Sequence, residues 1–433
     1  MNIVNGENME DTKITTTRFL RYNYFRLGIA CFLCYCGCYL GKNILSAISP
    51  YLQTNGVYDA EQIGTMGSYF FFAYGFGQLV NGFLGDYIGP KKLSFVGLLT
   101  SGVLVTIVPF ISGIALNNVL WAVVGFFSSM MWGPLTKIVA ENSEGETGRK
   151  LMLLLNAASI IGTLLSYLIA VVVSAFFQWQ IAFYSTGLFM VLCSICYFCL
   201  LTYLEKRNII VCSGIKSNNL KQRYATEKLS VNLVMKHAII PTVIYCMVNG
   251  FIRNAVSFWI PIYIKEFYNI GDAFASAIAI VLPIFNLIGS YIGIALLEKR
   301  IFRKSEHNLN FVLFLITVLT FAVIVILNGK SLLLTVICLV IASASMSTAC
   351  NLIFAVYVFR YTNTGRISTF SGALDCTAYV ASGVGTRFIS MLVGSFGWNV
   401  TVLVWSFLAG FGGLCCFSSS MICRKNGVEA QSE

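Results

Sequence analysis

Twelve sustained apolar stretches lie near 27–50, 63–84, 93–116, 119–140, 151–175, 182–203, 238–264, 273–297, 310–328, 331–359, 368–392 and 398–421. About 20 apolar residues in a helix cover the hydrocarbon core of a bilayer, roughly 30 Å thick. Inside lipid the backbone has no water to bond to, so each stretch must satisfy its own N–H and C=O groups as a helix. Of the 433 residues, 57% are hydrophobic and 11% charged, against roughly 25% charged in a soluble domain. A soluble core cannot absorb that much apolar side chain. The chain therefore reads as an all-α membrane protein of twelve transmembrane helices, with the lipid bilayer as its first partner.

The charges agree with this reading. With the N-terminus placed in the cytoplasm, 23 of the 29 Lys and Arg residues fall in the termini and even-numbered connections, and only Lys265 and Lys330 fall in odd-numbered ones. This is the positive-inside asymmetry of a multi-pass protein in a cell membrane with both termini cytoplasmic. The net charge of +11 is thus a matter of topology and not a sign of nucleic-acid binding. The first apolar run is too long for a cleavable leader, so residues 1–26 read as an uncleaved tail. The 15 cysteines fall mostly inside apolar segments without histidine partners, where they serve as small apolar filler.

A polar, basic connection divides the spans into two sets of six. The expected organisation is a tail at 1–26, a six-helix bundle at 27–203, a basic linker at 204–237, a second six-helix bundle at 238–423 and a tail at 424–433. The bundles look like repeats. Lys42 precedes Pro50-Tyr51-Leu52 by eight residues, and Arg253 precedes Pro261-Ile262-Tyr263 by eight. Each cation then lies roughly 12 Å inside the end of its helix.

Cations at such depth are unfavourable by about 2.5–3.5 kcal/mol on insertion scales, so they face a wet cavity or a partner. Lys42 and Arg253, with Asp375 as the one clearly intramembrane acid, leave an excess of positive potential that an anion can neutralise. Arginine adds a planar fork suited to phosphate or carboxylate, and lysine a compact point charge. Tyr35 and Tyr39 share a helix face with Lys42 by their i, i+4, i+7 spacing. Lys137 lies four residues before Glu141, where a helical pair and a substrate contact both stand open. Arg387 lies near the end of its span, within snorkelling reach of the interface. For Asp375 three roles stand open: holding a proton, pairing with a cation, or gating.

Gly82-Phe83-Leu84-Gly85-Asp86-Tyr87-Ile88-Gly89-Pro90-Lys91-Lys92, between the second and third spans, resembles the loop signature of the major facilitator superfamily. That resemblance implies the major facilitator fold and a coupling role for Asp86. Tyr39 to Ile44 running to Pro50-Tyr51-Leu52, Ala73 to Phe76, Trp132-Gly133-Pro134, and Arg253 ahead of Trp259 to Glu266 resemble the organophosphate:phosphate antiporters, the family of bacterial glycerol-3-phosphate and hexose-phosphate transporters. The resemblance implies that Lys42 and Arg253 hold the phosphate of a substrate, while Tyr35, Tyr39, Tyr74 and Tyr379 line the cavity. It also has departures. Lys42 stands where well-known members carry arginine, and Asn43, Gln78 and Ser159 stand where the glycerol-3-phosphate type carries further basic residues.

The expected activity is exchange of a small anionic solute, an organic phosphate of the sugar phosphate or glycerol phosphate type, for inorganic phosphate by alternating access in a monomer, with no cofactor and no metal. Two other readings remain open: a proton-coupled carrier of a small carboxylate, and a sugar-phosphate sensor that does not transport. No paired carboxylates, Ser/His set or metal-ligand cluster points to an enzyme.

Overall fold

The computed structural model describes residues 4–143, 145–212, 238–297, 305–357 and 367–426, and these are helical except at short connections. Ten segments are long and apolar enough to cross a membrane. The last of them, Gly372–Lys425, is broken at Gly397, whose φ of 75° leaves the helical region, so it supplies the eleventh and twelfth spans. The remaining span is Ala60–Ile88, the second in chain order. It starts at a capping box in which Asp59 and Gln62 satisfy each other's exposed backbone donors. The result is an all-α membrane protein of twelve spans in two six-helix bundles.

Helix ends differ from the expected apolar runs by several residues, because a helix continues past the hydrocarbon until capping stops it. The first span is helical from Val4 to Thr54. The fourth, expected unbroken over 119–140, is interrupted between Ser128 and Trp132, where Pro134 has no N–H to continue the ladder from the preceding turn. The outer faces present Leu188, Leu192, Ile195, Phe396 and Phe407 as exposed side chains, the surface that lipid would cover. Of the basic connection, residues 213–237 lie outside the described residues, as does the side chain of Asp86 in the loop signature.

Among the described residues, the bonds between the bundles lie toward one side. Between described residues, the side-chain hydrogen bonds that join them run from the face opposite the 204–237 connection, here the far face, down to mid-depth. At the far face Lys265 bonds the Pro50 carbonyl and Thr54 Oγ1, each at 2.5 Å, and pairs with Asp272 at 3.0 Å. Glu266 accepts from Gln53 of the first bundle at 3.1 Å and from the Trp398 indole of the second at 2.8 Å. A second clasp joins Arg387 to Glu61 at 2.5 Å and to Thr65 Oγ1 at 3.0 Å. Arg387, read from sequence as a residue that could snorkel outward, is instead held across the bundle interface. Among the described residues, the bonds that join the two bundles therefore close the far face.

The Arg387 clasp can be tested by charge reversal. Arg387→Glu sets two carboxylates against each other. It is expected to raise the far-side reactivity of a Ser68→Cys thiol, buried below the clasp, by roughly 2–5-fold toward a membrane-impermeant reagent. Adding Glu61→Arg should return the rate toward the starting value. Unchanged reactivity in the single variant would show that the pair does not hold the face closed.

Candidate functional site

The first span places Tyr35, Tyr39 and Lys42 on one face, and that face looks across to the second bundle. Lys42 Nζ donates to Tyr379 Oη of the eleventh span at 2.7 Å. It also lies 4.5 Å from the ring centroid of Tyr379, 4.7 Å from that of Tyr74 and 5.1 Å from that of Tyr39. Three π faces and one hydroxyl thus replace part of the hydration that an ammonium loses at this depth. Tyr74, from the second span, packs against Tyr379 with ring centroids 4.5 Å apart. Tyr35 donates to Tyr39 at 3.5 Å and rests against Trp132 at 5.6 Å. An ammonium has three hydrogens to give, and described protein groups accept only one of them.

Arg253 approaches from the seventh span. The helix there departs from α geometry: residues Phe251–Val256 form a π turn with Arg253 inside it. Such a bulge re-aims side chains and is frequent at functional sites. The Arg253 Nε is buried and has no hydrogen-bond partner. The turn that carries it packs against the eleventh span on either side of Tyr379, through Gly250 at the Ala378 backbone and Asn254 at Ser382, and Arg253 is within electrostatic range of Lys42 and Asp375.

Asp375 lies one helical turn before Tyr379 and is half-buried. It is within electrostatic range of both Arg253 and Lys42, yet forms an ion pair with neither and none with Lys137. Lys137 is half-buried near the connection-side end of the fourth span. The structure therefore brings Lys42, Arg253, Tyr35, Tyr39, Tyr74, Tyr379 and Asp375 into one region, while Lys137 lies toward the connection-side end of the fourth span. Two cations against one carboxylate leave the described residues of this region with an excess positive charge, below the bonds that close the far face.

Close helix approach positions these groups. A Cβ at Gly162 would collide with the Cys36 carbonyl, and one at Gly250 with the Ala378 carbonyl. The first span therefore touches the fifth, and the seventh touches the eleventh, backbone to backbone, as small residues permit in membranes. These contacts bring in two neighbours: Asn43, read from sequence only as a departure from the antiporter pattern, bonds Thr163 of the fifth span at 3.1 Å, and Asn254, which sequence reading missed, bonds Ser382 of the eleventh at 3.0 Å. The signal was available, since each cation is followed at once by asparagine.

Comparison with known proteins places this geometry. The glycerol-3-phosphate transporter of Bacillus subtilis is 26% identical over 43% of this chain and 43% of its own length. A probable hexose phosphate transport protein of Chlamydia pneumoniae is 25% identical over 39% and 37%, and the membrane sensor protein UhpC of Salmonella typhimurium is 26% identical over 40% and 41%. The chain thus matches less than half the length of these relatives. In structure it resembles a bacterial homologue of the lysosomal transporter Spinster, in an inward-facing and occupied conformation, with a TM-score of 0.71 over 92% of this chain and 97% of that one at 10% identity. The nucleoside transporter NupG gives 0.68 over 92% and 99% at 14% identity. The family profile of the Major Facilitator Superfamily matches residues 31–386, and the chain belongs to that superfamily.

Proposed function

We propose that this protein is a secondary transporter that exchanges an organic phosphate for inorganic phosphate across a cell membrane, with both termini and the 204–237 connection on the cytoplasmic side. The observation that carries the reading is the buried Arg253 Nε without an acceptor, in the same cluster as an ammonium with hydrogens to spare. A buried donor left unmade is costly, and an oxyanion with several acceptor atoms is the group that answers it. Phosphate offers more such atoms than carboxylate, which favours it over an organic acid. The similarity to glycerol-3-phosphate and hexose phosphate transport proteins supports this choice.

On this reading the substrate neutralises Lys42 and Arg253 together and so bridges the two bundles at the site. The Lys42–Tyr379 bond already crosses the interface, and an arriving phosphate competes with it for the ammonium. Charge neutralisation at the centre lowers the cost of closing the connection side, while the far-side clasps set the opposing cost. Rocking between these states moves the solute with no covalent step. Asp86, Lys137 and Asp375 would serve gating or coupling, Lys137 and Asp375 as a pair made only when the cytoplasmic side closes.

Arg253→Gln and Lys42→Gln are each expected to lower phosphate exchange in proteoliposomes roughly 100-fold while the protein still inserts. Arg253→Lys should also be strongly impaired, because a point charge does not reproduce the guanidinium fork. Near-normal exchange in either glutamine variant would sink the anion-site reading. Binding without accumulation of labelled phosphate by the wild type would turn the reading to a sensor.

Two further measurements bear on the substrate and the gate. Glycerol phosphate should raise the melting temperature of the purified protein more than glycerol does at equal concentration, and equal stabilisation would argue against phosphate recognition. Asp375→Lys and Lys137→Asp, each impaired alone, should exchange faster when combined. If the double variant is no better than the worse single one, Asp375 and Lys137 do not form a gate.

A further inference from the structure

The lipid-facing stripe of the sixth span, Gln180–Lys206, ends in charge. Leu188, Leu192, Ile195, Cys199 and Tyr203 recur at i, i+4, i+7, i+11 and i+15, and all are exposed, so they form one helix face turned to hydrocarbon. Tyr203 comes at the connection-side end of that face, the level at which amphipathic rings collect in a bilayer. Arg207 follows one turn later and is exposed. On the first span, Ile29, Phe32 and Leu33 share a partly exposed face, and Phe25 and Arg26 end it on the same side of the membrane.

The two arginines converge on one ring. The Arg207 guanidinium carbon lies 4.7 Å from the Tyr203 ring centroid and that of Arg26 lies 5.1 Å from it, which brings two like charges within about 10 Å of each other. The ring offsets only part of their repulsion. Glu205, the one acid of the sixth span, is turned instead to the third span, where it pairs with Lys91. Lys91 also bonds Thr202 at 3.3 Å. The first span packs along both the fifth and the sixth, which hardly touch each other. Its partly exposed face therefore floors a lateral seam between them, with the arginines at the end of that seam.

We infer that Arg26, Tyr203 and Arg207 form a headgroup site for an anionic glycerophospholipid of the connection-side leaflet, with an acyl chain of that lipid lying in the seam between the fifth and sixth spans. Guanidinium groups only donate, and their forks match the oxygens of a phosphodiester. The ammonium of a zwitterionic lipid would add a third cation to two that already crowd one ring, whereas phosphatidylglycerol adds none. An apolar face that runs from the cations into the hydrocarbon favours a lipid over a soluble phosphate, which would leave that face unused. Bound there, the headgroup ties the first span to the sixth. Lys42 lies 16 residues beyond Arg26, roughly 24 Å along the helix, so this site is separate from the mid-depth one and stands whether or not that one takes phosphate.

The test titrates the purified full-length protein with phosphatidylglycerol and with phosphatidylcholine of the same chains, and reads bound lipid by native mass spectrometry. The wild type is expected to bind its tightest phosphatidylglycerol about tenfold more strongly than phosphatidylcholine. Arg26→Gln with Arg207→Gln should bring that ratio toward one, and phosphatidylcholine binding reports that the variant is folded. Arg424→Gln with Lys425→Gln removes as much charge from exposed positions at the end of the twelfth span and should leave the ratio unchanged. Should the glutamine variant fail to fold, Arg26→Lys with Arg207→Lys, which keeps the charge but not the forks, is expected to lower the ratio as well. Equal affinities in the wild type, an unchanged ratio in the folded arginine variants, or an equal fall in the Arg424 and Lys425 variant overturns the inference. Glycerophosphoglycerol, the same headgroup without chains, should leave most of the lipid bound at roughly 100-fold excess; full displacement would make a soluble phosphodiester the occupant and overturn the lipid assignment.

Discussion

A lysine and an arginine near the middle of a lipid-embedded bundle each carry an insertion cost of about 2.5–3.5 kcal/mol, and much of the local architecture makes that cost tolerable without cancelling it. Lys42 is surrounded by the rings of Tyr39, Tyr74 and Tyr379 and bonded to one hydroxyl, which is partial solvation. Asp375 is near enough to lower the potential but is not paired to either cation. Full pairing would have made a stable ion pair with little reason to bind anything else. The arrangement keeps charge available at the place where the two bundles meet.

That availability depends on irregular helices. The π turn at Phe251–Val256 carries Arg253, and a second π segment at Ile353–Tyr357 lies in the tenth span; the fourth span breaks ahead of Pro134. Each departure occurs in a span that contributes to the interior, where neighbouring helices and water can take up the freed backbone groups. On the far side, the second and tenth spans instead begin at side-chain caps, Asp59 with Gln62 and Ser331. Strength is concentrated at the closed face and adaptability at mid-depth, the distribution that a rocking pair of rigid bundles requires.

The fold was legible because the signal is a solvent constraint: twelve apolar runs, a charge asymmetry and a repeated cation-to-proline spacing all follow from what lipid permits. Lys42 and Arg253 were legible for the same reason, since an intramembrane cation is conspicuous in sequence. Their neighbours were not. Arg387 shares a clasp with Glu61, 326 positions away, and no local pattern encodes a contact between the second and eleventh spans. Asn43 was read only as a departure from the antiporter pattern and Asn254 went unnoticed, because an asparagine in a helix is inexpensive and uninformative until a hydroxyl on another helix fixes its amide. The tyrosines were intermediate: i, i+4, i+7 spacing put Tyr35 and Tyr39 on the face of Lys42, but only the crossing of the second and eleventh spans brings in Tyr74 and Tyr379.

The two bundles repeat each other in plan and differ in chemistry, and the difference bears on direction. The first bundle offers an ammonium already engaged with the opposite bundle through Tyr379. The second offers a guanidinium whose Nε is engaged with nothing. An anion at the site meets the Arg253 Nε at no cost in existing bonds, whereas contact with Lys42 exchanges one bond for another. On the transporter reading, binding therefore starts on the second bundle and is completed on the first. Only the second step alters a contact that crosses the interface, so occupancy of Arg253 alone leaves the conformational balance nearly unchanged while occupancy of both cations shifts it. A substrate that spans both bundles then drives rocking, and an ion too small to reach across does not, which ties the geometry of the site to exchange of filled carriers instead of leakage by empty ones.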